Sequence, residues 1–373
     1  MKILQITKRY FPFNGGIEQV TKDMVDCLPD HENIVIAYNH EKGNCVDMVG
    51  NAKVYRVNCQ LNLRSQPIAL GYGKQLKNIF QQEKPDVVVF HFPNPFASHY
   101  LLKYLPKNVK LIVYWHADIV KQKLLKKLFV GQTKRLLNRA NVVVATSPNY
   151  VEKSEFLSEC RDKVKIIPNC ISINRFVETE NVEQLKNEIK QKNSNKIICF
   201  AVGRHTQYKG MDHLIKASKF LNDNYKIYIG GQGDLTNQLK ELAKGDDKIE
   251  FLGKLSDEQL LAYYQTCDVF CFPSVTKNEA FGLALAEGMY FEKPAVTFTI
   301  DGSGVNYVSL DGVTGIEVEN CNDEAYAKAI MKLGENSTLR KELGSNAKKR
   351  VEELFLPWAF KNNTIELFGG LNK

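Results

Sequence analysis

Short apolar runs alternate with helical patterns along almost the whole chain, and this alternation constrains the fold more than any other feature of the sequence. In the first half, strands are predicted at residues 2–7, 34–38, 53–57, 87–92, 110–115, 142–146 and 164–167. The pattern restarts in the second half, at residues 197–202, 226–230, 249–252, 269–272, 295–299 and 315–318. Helical stretches fall between most of these runs, and repeated strand–helix–strand units predict parallel sheets covered by helices on both faces.

Two α/β domains, each a doubly wound parallel sheet, follow from the restart of the pattern near residue 197. A chain of 373 residues is long enough to build two cores. The polar stretch 178–195 is interpreted as the inter-domain segment, which sets the domains at 1–177 and 178–355. A last helix within 356–373 is expected to pack back on the first domain. Because ligands of open α/β sheets bind beyond the carboxyl ends of the strands, a cleft between two facing domains is the expected site.

Composition limits the cellular location and the kinds of partner expected for this protein. Its nine cysteines are dispersed without CxxC spacing, which favours reduced thiols and a cytoplasmic location. No run of 18 apolar residues occurs, so no membrane-spanning helix is expected. The net charge is +8, and residues 1–180 hold 26 Lys and Arg against 16 Asp and Glu. No base-stacking module or DNA-binding motif accompanies this charge, which disfavours nucleic acid as a partner.

The densest basic stretch is 121–139. Its leucines and Phe129 recur at helical spacing against lysines, as in helices that lie on anionic membrane surfaces. A solvated helix whose apolar face packs on its own domain explains the same pattern. Peripheral contact with an anionic membrane is therefore one of two open interpretations of this stretch.

Two glycine-containing segments that follow strands could hold an anion. Gly15 and Gly16 allow close backbone approach before a helix whose first N–H groups attract anions. Arg204 and Lys209, in the stretch Gly-Arg-His-Thr-Gln-Tyr-Lys-Gly, could offset the negative charge of a nucleoside diphosphate. The alternative for the two glycines is that they only form a turn, and the alternative for Arg204 and Lys209 is that they are solvated loop cations.

Two further segments suggest a sugar nucleotide rather than a dinucleotide. Gly231 lies in Gly-Gly-Gln-Gly-Asp, which is not a dinucleotide fingerprint because Thr236 stands where the third glycine should be. Glu279 and Glu287 lie eight residues apart, the first in a loop beside a helix N-terminus and the second on that helix. Helix N–H groups suit phosphates and carboxylates suit hydroxyls, although two exposed acids would fit the same spacing. No Asp-x-Asp pair occurs, so no metal site is expected.

The order of these motifs is specific. Together with Gly-Gly-Ile-Glu at 15–18, Ile-Pro-Asn at 167–169, Phe-Leu-Gly at 251–253 and Phe-Pro-Ser at 272–274, the chain resembles retaining family 4 glycosyltransferases of the GT-B fold over nearly its whole length. The resemblance implies two facing Rossmann-like domains and a retaining, metal-independent hexosyltransferase without a cofactor. The Trp-His-x-Asp-Ile stretch at 115–119 is similar to a bacterial subset that includes mannosyltransferases of surface-polysaccharide assembly.

The resemblance also implies roles for individual residues. Arg204 and Lys209 would grip the donor diphosphate, Glu287 would bind the ribose, and Glu279 would orient the transferred sugar. His116, at the end of a strand, would approach the donor sugar and complete the catalytic set with Glu279, Arg204 and Lys209. The other residues implied in donor binding are Gly15, Gly16, Gly231, Lys254, Leu255, Ala280, Phe281, Gly282 and Leu283. Asp118 and His91 are the candidates for contact with the acceptor.

The expected reaction moves a hexose from a nucleotide sugar of the GDP-mannose type to a hydroxyl of a lipid-linked or surface polysaccharide, at the inner face of the plasma membrane. A UDP-sugar donor, a GT-B sugar-nucleotide epimerase and a non-catalytic glycan-binding subunit are the alternatives. An epimerase would need no acceptor. A non-catalytic subunit would be expected to have lost the four charged residues assigned to the donor, and all four are present.

Overall fold

The structure is a computed structural model, and it describes residues 1–13, 15–39, 41–63, 66–118 and 123–371, without the side chains at 62, 63, 66 and 123–128. The chain divides into two units. The first comprises Met1–Asn169 and Phe360–Lys373, and the second comprises Cys170–Ala359. The chain therefore passes from one unit to the other twice, once in each direction.

The first unit is built on a mostly parallel sheet. Its strands are β1 (Lys2–Ile6), β2 (Glu32–Tyr38), β3 (Cys45–Val49), β4 (Ala52–Val57), β5 (Leu61–Leu63), β6 (Gln66–Ile68), β7 (Val87–Phe92), β8 (Lys110–Trp115), β9 (Val142–Ala145) and β10 (Val164–Ile166). Its helices are α1 (Gly16–Asp26), α2 (Tyr72–Glu83), α3 (Pro95–Tyr104), α4 (Lys123–Arg139) and α5 (Pro148–Lys153).

Eight of these strands form one sheet in the order β10-β9-β8-β7-β1-β2-β4-β3, and β5 and β6 form a separate hairpin. All pairings in the large sheet are parallel except that of the edge strand β3 with β4. Every residue of β7 is buried, as expected of a central parallel strand covered on both faces. The carboxyl ends of β1, β7 and β8 lie side by side, which places the residues that follow these strands at one edge of the sheet.

The second unit repeats the architecture with a purely parallel sheet. Its strands are β11 (Ile197–Val202), β12 (Tyr225–Gly230), β13 (Ile249–Gly253), β14 (Val269–Phe272), β15 (Ala295–Phe298) and β16 (Gly315–Val318). Its helices are α6 (Glu180–Lys192), α7 (Met211–Ala217), α8 (Thr236–Leu242), α9 (Asp257–Thr266), α10 (Leu283–Tyr290), α11 (Val305–Val308), α12 (Asp323–Glu335) and α13 (Ser337–Leu354); α14 (Pro357–Gly370) begins in this unit and ends in the first.

The six strands of the second unit lie in the order β13-β12-β11-β14-β15-β16. Numbered from β11, this is the order 3-2-1-4-5-6 of a Rossmann sheet, whose direction of winding reverses between its first and fourth strands. That reversal falls between β11 and β14 here. The sequence prediction of two doubly wound parallel sheets is confirmed for the described residues.

The polar stretch 178–195, which its composition suggests is an inter-domain segment, instead contains α6 of the second unit. The Thr179 hydroxyl accepts a hydrogen bond from the backbone N–H of Val182 and caps this helix. Only Val182 and Ile189 of its residues are buried, so the average composition is that of a solvated linker. The division between the units accordingly falls after Asn169, eight residues before the predicted boundary.

Among the described residues, no helix combines the length and the apolar character needed to cross a bilayer. Of the basic stretch 121–139, residues 121 and 122 lie outside the described residues, and α4 begins at Lys123.

Candidate active site

The candidate residues fall into two sets, one in each unit. In the second unit, the segments that follow β11, β12 and β14 carry most of them. These strands are neighbours in the order β12-β11-β14, so their carboxyl ends adjoin at the reversal of the sheet. Arg204 and Lys209 follow β11, Gly231 follows β12, and Glu279 follows β14.

Gly231 allows the loops after β11 and β12 to touch backbone to backbone. Its φ of +104° lies in the region that favours glycine, and a Cβ at this position would overlap the carbonyl oxygen of Gly203. Leu255, after β13, packs against Gly230 on the other side of the same turn. The backbone of this glycine-containing loop is therefore fixed by contact, and Lys254 is exposed beside it.

Lys209 and Glu279 form an ion pair at the centre of this set. Both side chains are largely buried, with 13% and 11% of their surfaces exposed. The hydroxyl of Ser274 donates to the same carboxylate oxygen at 3.1 Å, and the ammonium of Lys209 lies 5.0 Å from the ring centre of Phe272. A buried cation and a buried carboxylate are thus held side by side after two adjacent strands, with the cation over an aromatic face.

The loop from Glu279 leads directly into α10. Gly282 precedes the helix with φ +95°, and the first helical residue is Leu283. Ala280 and Phe281 lie between the glutamate and the glycine, and Phe281 is buried edge-on against Phe355. Because the first N–H groups of a helix have no partner within it, the start of α10, which follows Glu279 closely along the chain, offers hydrogen-bond donors.

Glu287, about one turn into α10, is buried and already hydrogen-bonded. Nη2 of Arg175 lies 2.7 Å from its Oε1, and the Tyr264 hydroxyl donates to its Oε2 at 2.9 Å. Burial raises the pKa of the Glu287 carboxyl, while the Arg175 charge and the two hydrogen bonds act in the opposite direction. Burial, followed by the charge of Glu287, holds the pKa of the Tyr264 hydroxyl well above its usual range, so it acts as a donor.

Arg204 differs from its neighbours because its side chain is exposed. Among the described residues it makes no ion pair, whereas Lys209 five residues later is paired. The exposed guanidinium of Arg204, on the same loop after β11 as Lys209, is a positive group available to a ligand anion.

In the first unit, His116 and His91 form a chain of hydrogen bonds with Gln5. Nδ1 of His91 lies 2.9 Å from Nε2 of His116, and Nε2 of His91 lies 2.9 Å from Oε1 of Gln5. His91 is 1% exposed and His116 is 8% exposed. Burial lowers the pKa of His91 to about 3, and burial together with His91 lowers the pKa of His116 well below its usual range. Both rings are therefore neutral near pH 7.

Asp118 is held by its neighbours in the first unit. One of its carboxylate oxygens accepts from the indole N–H of Trp115 at 3.0 Å and from the Ser154 hydroxyl at 2.9 Å. Its backbone N–H donates to the Tyr150 hydroxyl at 2.6 Å. These contacts fix the turn after β8 that carries His116, and the acceptor role of Asp118 stays a prediction.

The glycine pair lies at the start of the first crossover. Gly15 caps α1 and its carbonyl accepts from the backbone N–H of Gln19 at 2.9 Å, while Gly16 is the first residue of the helix. A Cβ at Gly16 would meet open space, so its surroundings permit a larger residue.

Four residues at the site were missed from the sequence: Arg175, Tyr264, Ser274 and Ser303. Arg175 ends a single 3-10 turn, Ile173–Arg175, which the predicted boundary at 177 put in the first domain. Ser303 donates from its hydroxyl to the backbone carbonyl of Glu279, and Ser274 belongs to the Phe-Pro-Ser motif. The only signal for Tyr264 and Arg175 is general: a buried carboxylate such as that of Glu287 needs hydrogen-bond partners, but the sequence does not say which residues supply them.

No group of three or more His, Cys, Asp or Glu side chains suited to hold a metal ion occurs among the described residues.

Comparison with known proteins identifies the family. The model described as Glycosyltransferase Family 4 matches residues 14–175, and the model described as Glycosyl transferases group 1 matches residues 172–350. D-rhamnosyltransferase WbpZ of Pseudomonas aeruginosa is 30% identical over 364 residues, which cover 95% of this chain and 92% of that protein. This chain belongs to the glycosyltransferase family that these two models describe.

Two further similarities extend the comparison. The O-antigen chain mannosyltransferase C of Escherichia coli is 29% identical over 371 residues, covering 95% of this chain and 94% of that protein. Anabaena Alr3699/HepE, solved in complex with UDP and glucose, superposes with a TM-score of 0.77 at 18% identity and covers 99% of both chains. The GT-B fold and the membership of the glycosyltransferase family predicted from the motifs are confirmed.

Proposed function

We propose that this chain transfers a hexose, with retention at the anomeric carbon, from a nucleotide sugar of the GDP-mannose type to a hydroxyl of a growing surface polysaccharide. Support for the sugar and the polymer comes from two relatives matched over nearly their whole length, which are named for transfer of D-rhamnose and for addition of mannose to an O-antigen chain. A UDP-sugar is the alternative donor, favoured by the likeness of fold to a protein solved with UDP and glucose.

The observation that carries the proposal is the ion pair of Lys209 with Glu279 beside the start of α10. A donor has a diphosphate and a sugar joined by one oxygen, and the pair presents a cation and a carboxylate in direct contact. Lys209 and the exposed Arg204 would hold the diphosphate, while Glu279 would accept hydrogen bonds from sugar hydroxyls. By the family resemblance, His116 would also contact the donor sugar, and Gly15 and Gly16 at the start of α1 would contact the phosphates.

The reaction then needs little more than charge stabilisation. The acceptor oxygen bonds to the anomeric carbon on the face from which the phosphate leaves, and the bond from that carbon to the β-phosphate oxygen breaks. The acceptor proton passes to the departing phosphate, so no strong base is needed. Arg204, Lys209 and the N–H groups at the start of α10 would stabilise the growing negative charge, and loss of one such group typically costs about 3 kcal/mol of barrier. With two side-chain cations supplied, the transfer would need neither a metal ion nor a cofactor.

The acceptor part of the proposal is a lipid-linked glycan met at the inner face of the plasma membrane. Its support is the basic first half of the chain, with 26 Lys and Arg against 16 Asp and Glu in residues 1–180. Anionic lipids attract such surfaces through non-specific charge. Flotation with vesicles of phosphatidylglycerol, compared with vesicles of phosphatidylcholine, tests this part separately from the reaction.

The reaction itself is tested with purified protein, labelled GDP-mannose or UDP-hexoses, and a lipid-linked oligosaccharide. We expect label to move to the oligosaccharide from the GDP-sugar, with the donor's anomeric configuration kept when the product is examined by NMR, and with transfer unaffected by EDTA. Transfer from the UDP-sugar alone would select the alternative donor. A changed sugar nucleotide without any acceptor would select an epimerase, and no reaction with any donor would overturn the proposal.

A further inference from the structure

Arg175 contacts two acidic residues of the second unit at once. Its Nη2 lies 2.7 Å from Oε1 of Glu287, and its Nη1 lies 2.7 Å from Oδ1 of Asp257. Its guanidinium lies 4.5 Å from the ring centre of Phe176, which packs in turn against Tyr264. About a third of the arginine side chain is exposed, so one side of it reaches the surface while the other side contacts the buried carboxylate.

The hydrogen bonds of Glu287 leave part of its carboxylate unused. A carboxylate has about four acceptor positions, two on each oxygen. Arg175 takes one position on Oε1 and Tyr264 takes one on Oε2, so each oxygen keeps about one. Two neighbouring hydroxyls, as in the 2′,3′-diol of a ribose, supply two donors for two such positions. A protonated carboxyl would lose an acceptor position and would itself donate.

We infer that Arg175 is a positioning residue that keeps Glu287 ionised and fixes the plane of its carboxylate, so that both oxygens can accept hydrogen bonds from the ribose hydroxyls of a nucleoside diphosphate. The inference rests on the proposed function, transfer from a nucleotide sugar, and on the family resemblance, which implies that Glu287 binds the ribose. Arg175 itself needs no contact with the nucleotide, because it acts through the carboxylate.

The charged and titratable groups around Glu287 determine the expected pH dependence. Burial raises the pKa of its carboxyl, and Arg175 and Tyr264 counteract this, whereas Asp257 adds to it. Removal of the arginine leaves burial and Asp257 acting with only Tyr264 against them, so the pKa must rise further. Since the ionised form accepts the hydroxyls, ribose binding is lost as the pH falls through this pKa. Loss of Arg175 should therefore move that decline in affinity to higher pH.

The test is isothermal titration calorimetry of the full chain and of R175M and R175K with GDP, UDP and their 2′,3′-dideoxy analogues, between about pH 5 and pH 8. For the nucleotide that the wild type binds, R175M should bind the ribose form about tenfold more weakly or worse, as expected for loss of a charged hydrogen-bonded support. Its affinity for the 2′,3′-dideoxy form, which has neither hydroxyl, should change by about twofold or less. R175K should lie between the wild type and R175M, and R175M should lose affinity at higher pH than the wild type.

D257N is the matched control, because it removes the other partner of Arg175 and leaves the contact with Glu287. It should keep the preference for ribose, and its affinity should decline at the same or lower pH than in the wild type. Thermal unfolding of each variant without nucleotide establishes that it is folded. An equal loss of the ribose and 2′,3′-dideoxyribose forms in R175M, or unchanged binding of both, would overturn the inference while leaving the proposed function intact. Wild-type protein that binds neither GDP nor UDP would overturn both.

Discussion

The imidazoles of His91 and His116 share a hydrogen bond, with Nδ1 of one ring 2.9 Å from Nε2 of the other. The far nitrogen of His91 faces the amide oxygen of Gln5, which can only accept. In this orientation of the Gln5 amide, His91 carries its proton on Nε2 and accepts on Nδ1, and His116 carries its proton on Nε2. The Nδ1 of His116 is left as an acceptor, which suits contact with a sugar hydroxyl. Gln5 thus sets the tautomer of a histidine two strands away.

Acidification should destabilise the protein through this pair. The pKa of His91 is lowered to about 3 and that of His116 is also lowered, whereas an unfolded chain protonates histidine near pH 6.5. Above about pH 6.5 the two histidines are neutral in both the folded and the unfolded chain, and they leave the unfolding free energy unchanged. Below that pH the unfolded chain takes up protons first, so the unfolding free energy falls by about 1.4 kcal/mol per pH unit for each histidine. Urea denaturation at about pH 7 and pH 5 should show a smaller decrease for H91N than for the wild type.

H99N is the matched control for this experiment, because His99 is an exposed histidine of the same unit. It should keep the pH dependence of the wild type. If H91N showed the wild-type decrease as well, His91 would not be a source of the acid sensitivity.

Substitutions at the Lys209–Glu279 pair should affect the unfolding free energy and the rate of sugar transfer differently. K209M leaves a buried carboxylate without its cation, so the unfolding free energy should fall by about 3 kcal/mol. Transfer should fall about 100-fold or more, because the diphosphate also loses a cation. The double variant K209M/E279Q should regain most of the stability and none of the transfer, as measured by denaturation and by the labelled-sugar assay. K216M, which breaks the more exposed pair with Asp212, should change stability by about 0.5 kcal/mol or less. Recovery of transfer in the double variant would exclude the assigned roles.

Because the backbone at Gly231 is in close contact with Gly203, substitution of this glycine should lower the unfolding free energy by more than its positive φ alone would. G231A and G245A both force alanine into positive φ, but a Cβ at position 245 meets open space whereas one at 231 overlaps a carbonyl oxygen. G245A should cost about 1 kcal/mol and G231A about 1–3 kcal/mol more. G231A should also weaken nucleoside diphosphate binding in calorimetry, because the loop after β12 must move. An equal decrease in the unfolding free energy of the two variants would show that the loop after β12 can move to accommodate the Cβ without an energetic penalty.

The last residues should stabilise the first unit through Phe368. This side chain is 1% exposed and its ring meets His31 edge-on at 6.4 Å, while Ile365 on the same helix is 48% exposed. F368A should lower the unfolding free energy by about 3–5 kcal/mol, and I365A by about 1 kcal/mol or less. Chemical denaturation of both variants measures the difference. Similar effects of the two substitutions would mean that α14 is held by something other than its buried face.

The buried strands could be predicted closely because their runs are almost wholly apolar and are bounded by polar residues, proline or glycine. Val87–Phe92, Ile197–Val202 and Val269–Phe272 begin and end where the sequence indicates. The edge strand β3 was missed because almost all its residues are exposed, so it has no buried face to impose a pattern. Helix α6 was missed for the same reason, since two buried positions in thirteen do not shift an average composition.

The candidate site could be predicted as a set of residues but not as a set of contacts. Lys209 and Glu279 are both in motifs, yet the motifs assign them to different groups of the donor, and only the adjacency of β11 and β14 brings them into an ion pair. Arg175 lies 112 positions from Glu287 along the chain, and no spacing rule links residues so far apart. Contacts of this range depend on the order of the strands, which local patterns do not encode.

The double passage of the chain between its two units also has a consequence for biosynthesis. Residues 360–373 complete a unit whose other residues end at Asn169, and about 190 residues are translated in between. At about 5–20 residues per second, the ribosome takes roughly 10–40 seconds to reach them. During that interval the surface that receives Phe368 is uncovered on the nascent chain. The unit that is synthesised first is therefore the one that matures last, and chaperone demand should be greatest while the second unit is being made.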